Sequence, residues 1–337
     1  MEVKDILIQK NLGTYKPNAY LSNLAIAYFE EPTFAHKRVF PTCPVALPSG
    51  HFYEFNKADL ARDNVQQKPP HGTVAPAVFG LSEQSYSTKV YQVIIGLDKI
   101  MTLPYQRNGG GFDPNRTRTR TIAEQIALHQ EIDFATKFFN ANAWSNVWTG
   151  AATTNVTNKE FKKLDNSDVD PVAFFDERAI EIRRNGRRNP NKMVLGIETF
   201  SALKNNVFVK ERIKYSGTTQ SPAIVTEQVL AQIFGVDEVV VLGATYNDAA
   251  HGATANMKFI CDSKGALLLY TADAPQIDEV SAGYIFTWQL DDGNYIGVNH
   301  YEEGAPATHT DVLEGIIAYD MKKTSDDLAI YFADCVG

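Results

Sequence analysis

The side chains best equipped for chemistry are scattered along this sequence and never fall into a catalytic spacing. His300 is followed by Glu302 and Glu303, the donor types of a cation site. Successive residues of a strand alternate faces, which argues against a common ligand set. His129 has Glu131 and Asp133 nearby in a segment of helical period, where a solvated or hydrogen-bonded imidazole is the ordinary outcome. Asn108–Gly111 (NGGG) comes nearest to a phosphate-cradling loop, but no Gly-Lys-Ser/Thr follows it and there is no GxGxxG. GxSxG and HExxH are absent as well. The seven histidines (His36, His51, His71, His129, His251, His300, His309) are dispersed. The three cysteines, Cys43, Cys261 and Cys335, form no CxxC, so neither a disulfide framework nor a zinc site is expected. No catalytic residue, metal or cofactor is expected.

Two basic clusters remain: Arg107, Arg116, Arg118 and Arg120, then Arg183, Arg184, Arg187 and Arg188 with Lys192. Apart from Phe112 no aromatic interleaves them, so they read as solvated faces or helix-end charges. The functional alternative is contact with acidic neighbours or DNA phosphates, which would be sequence-independent and salt-sensitive. The whole chain carries 32 Lys and Arg against 40 Asp and Glu, a net charge of -8. That balance argues against a dedicated nucleic-acid binder.

Length and composition frame these residues. A chain of 337 residues with 44% hydrophobic and 21% charged residues is globular and long enough for a sizeable core, as one large domain or two. Apolar stretches such as Val239–Leu242 and Ala266–Tyr270 are too short to span a bilayer. Residues 1–12 mix charged and apolar residues with no apolar signal region, and a reducing, cytosolic site of folding is expected.

The elements that must position these residues are legible in part. Residues 1–50 are punctuated by Pro17, Pro32, Pro41, Pro44 and Pro48, which predicts an extended arm with at most a helical turn or two over Leu21–Phe29. His51–Phe55 and Ser85–Gly96 read as two strands around the turn-rich Gln66–Pro76. With arms of about 15 residues this ribbon would reach roughly 50 Å. A lone two-stranded hairpin is marginal in water, so it must pack on its own body or be held by another chain. Residues 107–120 read as a flexible loop. Thr121 with Glu124 then fits a capping box, and Ile122, Ile126, Leu128, Ile132, Ala135, Phe138 and Phe139 predict a helix of about 22 residues, roughly 33 Å. Asp170 and Pro171 open a second helix lined by Val172, Phe175, Ala179 and Ile182. From Lys192 strands and helices alternate: Met193–Ile197, Glu198–Asn205, Thr226–Phe234 closed by Gly235, Glu238–Leu242, Lys258–Ile260, Ala266–Tyr270 and Tyr284–Gln289. Leu313–Tyr319 and Leu328–Phe332 are expected to return to the part that holds the long helix.

This order of elements resembles the major capsid protein of tailed phages, the Hong Kong 97-type fold. Phe55-Asn-Lys-Ala-Asp-Leu-Ala-Arg62 is similar to the segment entering that family's extended loop. Val225-Thr-Glu-Gln-Val-Leu-Ala-Gln-Ile-Phe-Gly-Val236 with Glu238–Tyr246 resembles the helix and strand of its axial domain. Ala266-Leu-Leu-Leu-Tyr270 with Gly283-Tyr-Ile-Phe-Thr-Trp288 resembles the strands that follow. The resemblance runs from about residue 15 to the end.

It implies an α+β fold with an N-terminal arm (1–50), an extended β-hairpin loop (51–98), a peripheral domain with a long spine helix (99–188 and 300–337) and a mixed α/β axial domain (189–299). The extended loop, carrying Lys57, Arg62, Lys68, His71 and Lys89, would lie over a neighbouring subunit. Tyr246–Met257, with Tyr246, Asn247, Asp248, His251 and Asn256, would form the axial loop at the capsomer centre. Arg116, Arg118, Arg120, Arg183, Arg184, Arg187 and Arg188 would face packaged DNA or a neighbour. The implied protein is not an enzyme. It assembles into pentamers and hexamers of an icosahedral shell around double-stranded DNA, touches that DNA weakly and nonspecifically, meets a portal protein, and contacts no membrane. No charged stretch of about 100 residues precedes the arm, so such an internal scaffolding domain is absent or already cleaved, and a separate scaffolding protein is expected. Assembly would take place in the host cytoplasm. An encapsulin-like compartment storing a cargo enzyme shares the fold; the proline-punctuated arm counts against it. An enzyme with a long lid is the third reading. Some capsids of this type crosslink a loop lysine to a neighbour's asparagine, and Lys57, Lys68 and Lys89 are present.

Overall fold

The computed structural model describes residues 34–55, 62–68, 70–74, 76, 81–98, 114–216, 225–250, 252–275, 279–290, 296–303 and 310–337. The expectations for residues 1–33, Lys57, Arg107, Asn108–Gly111 and His251 lie outside them.

A long helix, α2 (Pro114–Phe138), runs between two sheets; a short α1 (His36–Val39) precedes it. The helix begins seven residues before the expected start, with Pro114 supplying the fixed φ suited to a first turn. Thr121 is therefore no cap: its hydroxyl donates to Thr117 O (3.1 Å) inside the helix. The loop expected over 107–120 is likewise helix from Pro114 on. Two adjacent rows spaced by four residues form the buried stripe, Ile122–Ile126–Gln130–Phe134–Phe138 and Ala123–Ala127–Glu131–Ala135–Phe139. Both rows are apolar except at one level, Gln130 and Glu131.

The six-stranded sheet has the order β6 (Glu160–Lys162), β5 (Val147–Ala151), β15 (Ala329–Ala333), β11 (Ala266–Leu269), β7 (Lys192–Gly196), β8 (Glu238–Leu242). Strands apolar on both faces are expected where helices cover both sides. Met193, Leu195, Val239, Leu268 and Phe332 pack on α3 (Pro171–Gly186), α4 (Ile197–Asn205), α5 (Val207–Ser216) and α6 (Glu227–Phe234). Val194, Val240, Leu267, Leu269 and Tyr331 belong to the cluster around α2. The caps expected for two helices are present. Asp170 accepts from the N–H groups of Val172 (3.0 Å) and Ala173 (3.5 Å), while Gly235 closes α6 at φ 64°. Leu328–Phe332 returns to the long helix through Ala329 and Tyr331, but in the other sheet from Leu313–Tyr319. Its β15 pairs with β11 and β5, because its side chains, apolar on both faces, need a central position.

The five-stranded sheet is built on β14 (Thr310–Lys323), which pairs with β4 (Lys89–Asp98) on one side and with β13 (Ile296–Glu303) and β12 (Gly283–Trp288) on the other; β1 (Thr42–Val45) adds parallel to β12. One face lies on α2. At Gly315 the approach is so close that a Cβ would sit 2.2 Å from Ile122 Cγ2. The ribbon itself is β2 (Ser49–Phe55) with β3 (Leu81–Ser87), seven pairs long. The expected strand Ser85–Gly96 breaks at Thr88, since its second half alternates Tyr91, Val93 and Ile95 onto the core and so completes the body sheet instead of the ribbon. Among the described residues the paired ribbon spans about 23 Å.

Candidate assembly interface

The ribbon and arm are aimed by two joints. At the arm joint, Arg38 donates to Glu238 Oε1 (2.8 Å) and Glu227 Oε2 (3.4 Å), and Lys192 Nζ donates to the carbonyls of Arg38 and Val39. Burial pushes the Lys192 ammonium below its ordinary range. Phe40, fully buried, meets Phe134 and Phe138 edge-on with centroids 5.6 and 4.9 Å apart. Glu131 Oε2 accepts from Ala35 N (3.1 Å) and His36 N (3.0 Å) and contacts His36 Nδ1 (2.8 Å), while His36 Nε2 contacts Gln130 Oε1 (3.0 Å). His36 and Glu131 are each 1% exposed, and Glu131 Oε1 is buried with no partner among the described residues.

At the ribbon joint, Thr88 donates twice to Pro48 O (2.8 Å each) and Ser87 N donates to Asp320 Oδ2 (3.0 Å). Tyr86 and Phe52 stack on Phe286 of β12 at 4.7 and 5.6 Å. The base of the ribbon is thus pinned to the body. Lys89 lines a shallow cavity of about 370 Å³ there with Lys137, Asp320, Lys322 and Lys323.

Of the other loop residues singled out, Arg62, Lys68 and His71 are exposed, and His71 adopts φ 61°. In the axial candidate, β9 (Thr245–Asn247) and β10 (Met257–Phe259) make a small hairpin. Asn247 Oδ1 accepts from Ala249 N (3.1 Å) and Asn256 N (2.8 Å), Asp248 N donates to Asn256 O (3.0 Å), and Asp248 pairs with Lys258. Tyr246 is half-buried.

The basic residues do not act as one cluster. Arg116 and Arg120 are exposed on α2, with Arg120 paired to Glu124. Arg118 is corrected: it is buried and cannot face DNA. Its guanidinium donates to Asp311 Oδ2 (2.7 Å) and Asp311 O (2.9 Å) and also to Asn115, because β14 starts directly beside the first turns of α2. Asp311 also contacts His300. Burial pushes the Asp311 carboxyl up, but the bonds from Arg118 and His300 more than offset this and hold it below the usual range. Arg183, Arg184, Arg187 and Arg188 are exposed in and after the last turn of α3, where cations oppose the helix dipole favourably. Arg188 lies 5.8 Å from the Tyr270 ring centroid. Sequence reasoning missed the His36–Gln130–Glu131 cluster. The signal was the simultaneous polar interruption of both apolar rows of α2.

Among the described residues no group of three or more His, Cys, Asp or Glu could hold a metal. No described helix is long and apolar enough to cross a membrane.

A spine helix between two sheets, with a projecting ribbon, defines the Hong Kong 97-type shell fold. A phage-related protein from Bordetella bronchiseptica matches with a TM-score of 0.70 over 95% of this chain and 97% of that one at 19% identity. The capsid protein of cyanophage P-SCSP1u matches with a TM-score of 0.54 over 87% and 86% at 11% identity. These likenesses speak for the fold. No protein-family model matches the sequence. The major capsid protein of Burkholderia phage BcepMu is 30% identical over 232 residues, 68% of this chain and 69% of that protein. The chain belongs to the phage major capsid protein family.

Proposed function

We propose that this chain is a structural shell subunit whose copies form pentamers and hexamers of an icosahedral capsid around the double-stranded DNA of a tailed phage. The observation that carries the reading is a family member whose ribbon has two outer edges with no strand on them among the described residues. A two-stranded ribbon gains stability only against a third element, and copies of the same chain supply one. Extended contacts of this kind bury more than a standard interface of about 1,600 Å².

The finer assignments follow the same reading. Residues 1–50 serve as the arm, 51–98 as the extended loop, 99–188 with 300–337 as the peripheral domain and 189–299 as the axial domain. Sheet membership favours grouping β4 and β12 with the peripheral part, and β15, β5 and β6 with the axial part. Arg62, Lys68, His71 and Lys89 meet a neighbour, and the Tyr246–Asn256 hairpin surrounds the capsomer axis. Arg183, Arg184, Arg187 and Arg188 touch DNA phosphates or a neighbouring subunit. A separate scaffolding protein, a portal protein and assembly in the host cytoplasm complete the proposal.

Electron microscopy of the purified protein tests it. Closed shells are expected, and deletion of residues 60–75 is expected to leave a soluble body without them. Normal shells from the deletion, or a protein that stays monomeric or dimeric by light scattering, would sink the reading. The contents of purified particles separate a capsid, which holds nucleic acid, from a compartment holding a cargo enzyme.

A further inference from the structure

Three polar side chains meet where β5, β6 and α3 come together. Asn146 stands just before β5, Lys159 just before β6, and Glu181 on α3. Lys159 Nζ donates to Asn146 Oδ1 (2.8 Å), and Asn146 Nδ2 donates to Glu181 Oε1 (2.8 Å). An ammonium only donates and a carboxylate only accepts, so the amide is held in one orientation, oxygen to the lysine and nitrogen to the glutamate. The lysine is thereby set against the carbonyl, and the carboxylate against the nitrogen that would leave. Among the described residues the Lys159 ammonium pairs with no carboxylate. Its backbone adopts φ 53°, uncommon without glycine, and is fixed by Thr149 N donating to Lys159 O (2.9 Å) and Lys159 N donating to Val156 O (3.2 Å). Asn146 and Lys159 are half-buried, and the Glu181 side chain is 18% exposed. Arg178, stacked on Trp148 at 4.0 Å, lies 3.6 Å from the second oxygen of Glu181.

We propose that Lys159 and Asn146 of the same chain join in an isopeptide bond, with Glu181 carrying the proton. The Lys159 ammonium first releases one proton to water. The amine then attacks Asn146 Cγ, forming the new C–N bond. In the adduct Nζ and Nδ2 share one carbon, which brings the Nζ protons to the carboxylate already at Nδ2. Glu181 takes one of them and returns it to Nδ2, the Cγ–Nδ2 bond breaks, and ammonia leaves. Amine and primary amide thus become secondary amide and ammonia, with nothing oxidised or reduced and no co-reactant. Groups held in contact by the fold react as if at very high concentration, and a positioned carboxylate speeds the proton transfer. The bond closes residues 146–159 into a loop. It ties β6, a three-residue strand at the edge of the six-stranded sheet, to the start of β5. Both residues belong to one subunit, so the bond links no copies and adds no ladder to a denaturing gel.

Mass spectrometry of the purified full chain, denatured and digested with trypsin, tests it. Trypsin does not cut after an acylated lysine, so wild type is expected to yield Phe138–Lys162 as one peptide, lighter by one ammonia. Lys159→Arg keeps a cation on the Asn146 oxygen and is expected to be cut at that position with no mass lost. Glu181→Gln removes the proton carrier and is expected to form the bond at least tenfold more slowly in freshly made protein. Cleavage after Lys159 in wild type, with the full mass on both sides, overturns the proposal and requires no variant to fold. An ammonia loss that survives in Lys159→Arg also overturns it, since an asparagine closing on its own backbone loses ammonia as well. Bond formation at the wild-type rate in Glu181→Gln overturns the role of Glu181.

Discussion

The two sheets rest against the same spine helix, yet one has helices on both faces and the other, among the described residues, on one. The six-stranded sheet is covered on its second face by α3 to α6, and its strands Leu267–Leu269 and Ile330–Phe332 are almost wholly inaccessible. The five-stranded sheet has α2 on one face only, and among the described residues no strand lies beyond β4. The difference teaches where the subunit spends its interior. Covering both faces of one sheet makes a body that keeps its shape, while an edge without a neighbour among the described residues leaves backbone groups able to take a further strand. The arm joint sits where the two regimes meet, tying residues 34–40 to α2, β7, β8 and α6.

That contrast can be broken from the finished side first. Phe40→Ala removes a fully buried ring shared by the arm and α2, and should cost about 3–5 kcal/mol, read as a lower urea midpoint. An unchanged midpoint would mean that the arm is not part of the body. Glu131→Ala leaves two buried backbone N–H groups and the His36 ring without their acceptor and is expected to cost about 3 kcal/mol, with Glu131→Gln costing less. Equal losses in the two variants would contradict the assigned bonding.

Asp311 gives a test by pH. Its carboxyl titrates lower in the folded chain than unfolded, where about 3.9 is ordinary, so its contribution is full above that value and is lost as pH falls through the folded one. Asp311→Asn should therefore lower stability at pH 6, and the gap from wild type should close as the pH is taken below 4 in parallel denaturation curves. A gap that persisted into acid would show that Arg118 and His300 do not hold a carboxylate. Asp170→Ala loses the cap of α3 and should cost about 1 kcal/mol by the same measurement. On the unfinished side, Val90→Lys alone should change subunit stability by less than about 0.5 kcal/mol, since the side chain is exposed. A large loss there would show that β4 is already covered within the chain and would erase the contrast.

Much of the finished region was legible. Asp170-Pro171 and Gly235 announced their helices through caps whose hydrogen bonds are local, and Glu238–Leu242 and Ala266–Tyr270 announced buried strands by unbroken apolar runs. The start of α2 was misplaced because Thr121 and Glu124 imitate a cap, and only Asp311, nearly two hundred residues away, makes a buried Arg118 acceptable. The break at Thr88 was invisible for the same reason: Ser85–Gly96 is one run of strand-forming residues, and the partner that captures its second half is β14.

What the sequence by itself determined, then, was local: helices and strands whose period, caps and apolar runs lie within a few residues, together with the resemblance that pointed to a capsid. The tertiary structure decided which strands share a sheet, that Arg118 serves Asp311 and not an external phosphate, that Glu131 receives the arm, and that β4 is the last described strand on its side of β14. Those outcomes depend on pairings between residues far apart in the chain, and a strand shows the same period whether its edge is paired or bare.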